Sequence, residues 1–279
     1  MTGHSPFTQR EAASLLDGMA AIVSRAALAI AEHAGSARAA RIKADRSPVT
    51  DADLAAQAVI LEGLAALMPG IPIVSEEAAW DKGRTPGGLF FLVDPLDGTR
   101  EFVNGRDEYT VNVALVAGGE PMLGAIGAPA RGRLWLGGTG VSAERIDLAP
   151  GAAPDPARAR TLIRTRAWPE HAVAALSRSH LDPRTEAFVQ RVAPAGRLSC
   201  GSALKFCLVA EGTADVYPRL APTCEWDIAA GHAILGAAGG VMTAPDGTPL
   251  PYGRSDARFL VPGFIAWGDA QAARRHAIR

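Results

Sequence analysis

Leu89-Phe90-Phe91-Leu92-Val93-Asp94-Pro95-Leu96-Asp97-Gly98-Thr99 runs an unbroken apolar stretch into two carboxylates three residues apart. Five consecutive apolar residues read as a strand buried on both faces. Pro95 then forces a turn, with Asp94 and Asp97 expected on one side of it. Carboxylates that close repel and raise each other's pKa, and a divalent cation removes the conflict. Hard oxygen ligands suit magnesium, or calcium and manganese, far better than zinc. The Leu96 carbonyl, between the acids, can also face a metal. Gly98 and Thr99 stand at the expected start of a helix, where free backbone N–H groups welcome phosphate. Two Asp residues at this spacing more often cap a turn; the longer string at the end of a buried strand gives these two their weight.

Upstream, Ile71 to Val74 is a shorter apolar strand ending in Ser75-Glu76-Glu77. Two successive strands thus leave acids at their C-terminal ends, where sites in layered α/β folds gather. Before them a helix is expected from about Asp53 to Leu67, with Leu54, Ala58, Leu61, Ala65 and Met68 on one face. Thr50 and Asp51 are N-cap types, and Pro69-Gly70 stops the helix. Asp53 bonded to the Thr99 hydroxyl could orient an attacking water. Ala12, Leu15, Leu16, Met19, Ile22, Val23, Ala26, Ala27 and Ile30 recur at helical spacing and predict a first helix ending near Gly35. Arg38 to Arg46 reads as a basic loop, and Ala78 to Gly88 as a Gly-rich charged one.

Downstream, Thr110 to Val116, Met122 to Ala128 and Arg133 to Leu136 read as strands of an antiparallel meander. Ala149 to Pro156, rich in Pro, Gly and Ala, reads as a linker. It divides an N-terminal α+β half, residues 1–155, from a C-terminal α/β half, residues 156–279. Thr161 to Arg164 reads as a strand. Glu170 to Ser177 is open between strand and helix, its alanines favouring the helix. Asp182 caps a helix to Arg191 with Pro183 at its first position. Ser202 to Glu211 reads as a helix and Ala214 to Tyr217 as a strand. Trp226 to Ala238 is a nearly all-apolar, hence buried, helix. Asp227 opens it, in the role of a cap that meets the helix dipole; in a buried start it needs a partner, and a metal serves. Glu225 reads as a loop charge. Ser177-Arg178-Ser179-His180, Lys205 and Arg219 offer hydroxyl, imidazole and cationic groups on this half.

The chain of 279 residues is 48% hydrophobic and 20% charged with a net charge of −1, which implies a packed globular protein. Nothing in that balance calls for a nucleic-acid polymer, whereas a small anionic substrate needs only local positive charge. No apolar run is expected to reach membrane-spanning length. Asp17, Ser24 and Arg25 interrupt the N-terminal apolar stretch, which does not read as a secretion signal. Cys200, Cys207 and Cys224 match neither zinc nor redox spacing and read as buried hydrophobes in a reducing cytoplasm.

Together these motifs resemble the inositol monophosphatase superfamily of metal-dependent, lithium-sensitive phosphatases. The resemblance is carried by Ser47 to Asp53, Val74 to Glu77, Val93 to Phe102 and Glu225 to Gly231, and it runs from the first helix nearly to the end. Within the superfamily, Ser177 to His180, Gly201 to Gly212, Asp215 to Arg219 and Asp227 to His232 are most similar to bacterial CysQ-type 3′(2′),5′-bisphosphate nucleotidases. The resemblance implies a layered αβαβα sandwich in two halves, with a strand over Ala172 to Leu176. It implies two or three magnesium ions held by Glu76, Asp94, Asp97 and Asp227 side chains and the Leu96 carbonyl. Asp53 and Thr99, with Glu76, would serve catalysis by positioning the water, and the Gly98 and Thr99 amides would hold the phosphate. Ser179, His180, Ser202, Lys205, Arg219 and Asp227 would contact the nucleotide. The implied reaction removes the 3′-phosphate of adenosine 3′,5′-bisphosphate, with 3′-phosphoadenylyl sulfate as a second candidate. The implied location is the cytoplasm, with peripheral contact at the inner membrane as an option, and a homodimer is left open. Asp51 and Glu225 are additional acids near the site, without an assigned role. The rival readings are another phosphatase of the superfamily, acting on inositol or sugar phosphates, and a non-catalytic metal or nucleotide sensor.

Overall fold

The computed structural model describes residues 6–34, 41–42, 48–78, 85–148, 160–179 and 181–278. The first half opens with α1 (Gln9–His33), a short antiparallel ladder of β1 (Arg41–Ile42) and β2 (Pro48–Val49), and α2 (Asp51–Leu67). Then β3 (Ile73–Ser75), β4 (Leu89–Asp97), β5 (Thr110–Ala117), β6 (Glu120–Ala128), β7 (Arg133–Gly138), β8 (Val141–Asp147) and β9 (Arg160–Leu162) stand side by side in chain order in one sheet. The β3–β4 pair is parallel and the others are antiparallel, so the expected meander is present and extended by β8 and β9. A short helix, α3 (Thr99–Val103), joins β4 to β5.

The second half holds β10 (Val173–Ser177), α4 (Pro183–Val192), β11 (Gly196–Cys200), α5 (Leu204–Ala210), β12 (Val216–Arg219), β13 (Thr223–Cys224), α6 (Glu225–Ala237), β14 (Val241–Thr243), β15 (Leu260–Val261), β16 (Phe264–Trp267) and α7 (Ala270–His276). Its sheet has the order β11-β10-β12-β16-β14, with β10, β11 and β12 mutually parallel, and β13 pairs with β15. The 173–177 segment is a strand despite its alanines, because it is an interior strand held between two parallel partners. The expected linker, 149–156, lies outside the described residues. The strand expected over 161–164 is observed at 160–162, and it completes the first sheet by pairing with β8.

Alternation along the strands builds the layers. Phe91, Val93, Val111, Val113 and Leu115 point into one core with α1 and α2. Phe90, Leu92, Ala114 and Val116 point the other way, into a core shared with α5, α6 and the second sheet. A third core, with Leu176, Phe188 and Trp267, lies between that sheet and α4 and α7. The order is therefore helices, sheet, helices, sheet, helices. A Cβ at Gly124 would sit 2.3 Å from the Ala230 carbonyl, so glycine lets α6 lie directly on the first sheet.

Three expectations are corrected. The buried face of α2 is Ala52, Asp53, Ala56, Ile60, Gly63 and Leu64, while Leu54 is 41% exposed. This helix is apolar on most sides, so periodicity alone did not single out the face that α1 covers. Strand β4 does not stop at Val93. It continues to Asp97 through an irregularity between Asp94 and Asp97, where the pairing shifts from Asp94↔Asn112 to Asp97↔Thr110. One extra residue there absorbs Pro95, which has no N–H to give the ladder. Finally, α1 is long and apolar enough to cross a membrane by length and composition. Here it is a core helix, with Leu16, Met19, Val23, Ala26 and Ile30 buried under the first sheet and α2.

Candidate active site

The C-terminal ends of the parallel strands of both sheets open on one cleft of about 260 Å3. Strands β3 and β4 bring Glu76, Asp94, Leu96 and Asp97 to it, and α3 starts there with Gly98 and Thr99. Strands β10, β11 and β12 bring Ser179, Ser202 and Arg219 from the other half, α5 brings Lys205, and the start of α6 brings Asp227. The bulge in β4 sets the acids, and Asp94 Oδ1 accepts the Leu96 N–H at 3.1 Å across it. Glu76 is placed by its own N–H, which donates to the Val93 carbonyl at 3.1 Å. Gly98 has φ 91°, a left-handed conformation that glycine adopts freely, and turns the chain from β4 into α3. His180 lies outside the described residues.

Asp53 does not line the cleft; it reaches it through Thr99. The Thr99 hydroxyl donates to Asp53 Oδ1 at 3.1 Å, with the Leu96 carbonyl a second acceptor at 3.2 Å. The other Asp53 oxygen takes the Thr50 N–H at 2.8 Å and the Thr50 hydroxyl at 2.6 Å, which caps α2 and fixes the carboxylate. Burial raises the Asp53 pKa, and the bonds from Thr50 and Thr99 pull it back.

The acids are electrostatically strained. Burial, with Glu76, Asp97, Asp227 and Asp53 around it, pushes the Asp94 carboxyl well above its ordinary range. Asp97 is raised to about 6, first by burial and then by Asp227, while Lys205, Arg219 and a bond from Asn112 work against the rise. Below them in the ladder, Thr110 Oγ1 and Asn112 Oδ1 are buried without a hydrogen-bond partner among the described residues. An all-oxygen donor set, a buried acid surrounded by four more and two orphaned oxygens together fit a hard divalent cation. Among the described residues, no three Asp, Glu, His or Cys side chains stand at metal-binding spacing in the rotamers they adopt, so sharing one ion requires side-chain rotation. Asp227 currently accepts the Thr223 hydroxyl and the Cys224 N–H, the latter at 3.0 Å.

On the facing wall, Lys205 is 2% exposed, and its ammonium donates to the Cys200 and Ser202 carbonyls and lies 4.9 Å over the Tyr217 ring. Arg219 donates to the Pro222 carbonyl at 3.3 Å. Its burial opposes the charge, but Tyr217, Asp227 and Asp97 more than compensate and hold its pKa up. Ser202 Oγ is buried and has no partner among the described residues.

Two acids left open by sequence are resolved. Asp51 pairs with Arg41 at 2.6 Å on the surface and does not line the cleft. Glu225 is fully buried rather than a loop charge, and it accepts the Gly253 and Arg254 N–H groups at 2.6 and 2.9 Å. Sequence reasoning missed Thr223, which stands four residues before Asp227, and Glu101, which accepts the Ser179 hydroxyl. It also placed Cys224 only as a buried hydrophobe. Cys224 is half-buried at the α6 start, where burial and the Asp227, Glu76 and Asp94 charges disfavour its thiolate.

This fold and cleft match a known group of enzymes. The inositol monophosphatase family model matches residues 11–276, and the chain belongs to that family, one of metal-dependent phosphatases. Among individual relatives, it is 43% identical over 233 residues to the 3′(2′),5′-bisphosphate nucleotidase CysQ of Shigella flexneri, covering 80% of this chain and 86% of that protein. The same identity, over 232 residues and with the same coverage, holds for the protein of that name from Salmonella typhimurium. The crystal structure of CysQ from Bacteroides thetaiotaomicron superposes with a TM-score of 0.78 at 35% identity, over 94% of this chain and 98% of that one.

Proposed function

We propose that the protein is a magnesium-dependent phosphatase that removes the 3′-phosphate from adenosine 3′,5′-bisphosphate, with 3′-phosphoadenylyl sulfate as a second substrate. The observation that carries this is the meeting, in one cleft, of four acids from three places in the fold (the end of β3, β4 and the start of α6) with the Thr99–Asp53 pair. The names of the relatives support the nucleotide over other phosphate esters. Two or three ions would be held by Glu76, Asp94, Asp97, Asp227 and the Leu96 carbonyl. Bound there, they would lower the pKa of the attacking water and offset charge on the leaving oxygen.

The chain's own groups do the rest. Thr99 Oγ, held by Asp53, orients the attacking water and passes its proton toward the carboxylate. The raised pKa of Asp53 suits a proton acceptor. The Gly98 and Thr99 N–H groups at the start of α3 hold phosphate oxygens. Ser179, Ser202, Lys205 and Arg219 of the facing wall, together with His180, contact the nucleotide, and Arg219 and Lys205, with Arg100, bring positive charge among the acids of the cleft. Positioning and charge neutralisation account for most of the catalysis in this scheme, and no phosphoenzyme forms. The three cysteines are unbridged, in keeping with a cytoplasmic location.

The test is phosphate release from adenosine 3′,5′-bisphosphate and inositol 1-phosphate side by side, with and without magnesium. The bisphosphate should be preferred by a wide margin and only with the metal. Equal rates, or preference for the inositol ester, would replace the substrate; nucleotide binding without turnover would indicate a sensor.

A further inference from the structure

Outside the acid cluster, a second carboxylate of the first half reaches across to the second. Glu108, between α3 and β5, is gripped by Arg178, whose Nε and Nη2 each lie 2.7 Å from one of its oxygens. The same carboxylate accepts the Gly201 N–H at 2.9 Å. Arg178 also donates to the Ser199 carbonyl at 2.7 Å, and Arg131 approaches Glu108 to 3.7 Å. The Glu108 side chain is 10% exposed. Arg178's hydrogen bonds hold its carboxyl below the usual range, so it stays an ionised acceptor. Neither Glu108 nor Arg178 lines the cleft.

The backbone that Glu108 holds is the turn that presents Ser202. Ser202 has φ 49°, a left-handed conformation that a serine keeps only when its surroundings impose it. Its Oγ is buried, unpartnered among the described residues, and in the cleft wall. The halves meet here without slack. A Cβ on Gly201 would lie 2.8 Å from the Glu108 carbonyl, and one on Gly98 would lie 3.4 Å from the Ser202 Cβ.

We propose that Glu108, locked by Arg178, is a positioning residue: it fixes the Gly201–Ser202 backbone so that the Ser202 hydroxyl faces the substrate across from the Gly98–Thr99 amides. This rests on the phosphatase reading above, in which Ser202 contacts the nucleotide. Glu108 touches neither substrate nor reacting atoms. Its loss therefore weakens substrate binding and leaves the metal wall as it was.

Glu108→Gln keeps the shape and removes the charge that holds Arg178 and Gly201 together. Arg166→Gln is the matched control. Arg166 grips Asp215 in the same bidentate way, at 2.7 and 2.9 Å, just before the end of β12 remote from the cleft. Each variant is purified, melted and assayed on adenosine 3′,5′-bisphosphate. In Glu108→Gln, KM should rise about tenfold, as expected for losing one charge-assisted contact, with kcat within about threefold of wild type. Half-saturating magnesium should not move. Arg166→Gln should lose comparable thermal stability and keep the wild-type KM. An unchanged KM in Glu108→Gln overturns the proposal, as does a KM rise shared by Arg166→Gln or a fall in magnesium affinity that tracks activity. Should Glu108→Gln not fold, Arg178→Lys, which keeps the charge but loses the fork, is read by the same quantities, with a KM rise of about threefold or more expected. A wild-type protein that releases no phosphate from the bisphosphate overturns the substrate reading and this proposal together. Failure of this proposal alone shows as an active wild type with an unaffected Glu108→Gln.

Discussion

The two walls of the cleft follow opposite electrostatic rules. On the wall from the first sheet, Asp94 is buried among Glu76, Asp97, Asp227 and Asp53, and every one of those charges raises its pKa. On the wall from the second sheet, the cations are already engaged. Lys205 gives its ammonium to two carbonyls, and Arg219 offsets Asp97 and Asp227. The first wall gathers like charges and gains by taking up cations; on the second the cations are balanced by carbonyls and acids, and it contributes shape and selectivity. Catalytic power should therefore sit on one wall and substrate affinity on the other.

The largest test of that division is Asp94→Asn. It removes a proposed ligand and the centre of the repulsion at once, so kcat should fall about a thousandfold or more while the metal-free protein melts higher than wild type. Lower metal-free stability would contradict the strain assigned to this wall. Thr99→Val comes next. It cuts the link from the cleft to Asp53 and should cost about a hundredfold in kcat, with metal-induced stabilisation retained. Arg219→Ala addresses the other wall, where the effect should appear in KM, about tenfold, and leave kcat largely intact. A kcat loss as deep as that of Asp94→Asn would merge the two walls into one.

The smallest effect is a pH dependence. A carboxyl raised from 3.8 to about 6 binds its proton more tightly in the folded state. Asp97 thus favours the metal-free fold most at low pH, and that contribution is lost as pH rises from about 4 through 6. A divalent ion competes with the same proton. The melting-temperature gain from magnesium should be larger at pH 7.5 than at pH 5.5, by a few degrees. An equal gain at both would mean that the ions bind elsewhere.

The contrast between the walls also explains what the sequence could show. The acid wall is local: Asp94, Asp97, Gly98 and Thr99 lie in one stretch at the end of a buried strand, and their chemistry follows from spacing. The facing wall gathers Ser179, Ser202 and Arg219 from three strands whose adjacency only the sheet order provides. Those residues carried weight through family resemblance, and nothing in their spacing joined Glu108 to Arg178, 70 residues on. Elements read well where composition contrasts with position, as in β5, β6 and the nearly all-apolar α6. Reading failed where contrast was missing, as on α2, and where a strand hides its pattern. Strand β11 carries Gly196 and Arg197 at a sheet edge, and β8 mixes Glu144, Arg145 and Asp147 into its ladder. The continuation of β4 past Pro95 was hidden because a proline ordinarily ends a strand, and only a bulge accommodates it.

The central claim is that carboxylates from distant strand ends share divalent ions beside a bound phosphate ester. Anomalous diffraction from crystals soaked in manganese tests it most directly. Manganese peaks are expected enclosed by Glu76, Asp94, Asp97 and Asp227, next to Thr99, with these side chains rotated inward. Ordered ions bound elsewhere, with the four carboxylates unmoved and unligated, would contradict it.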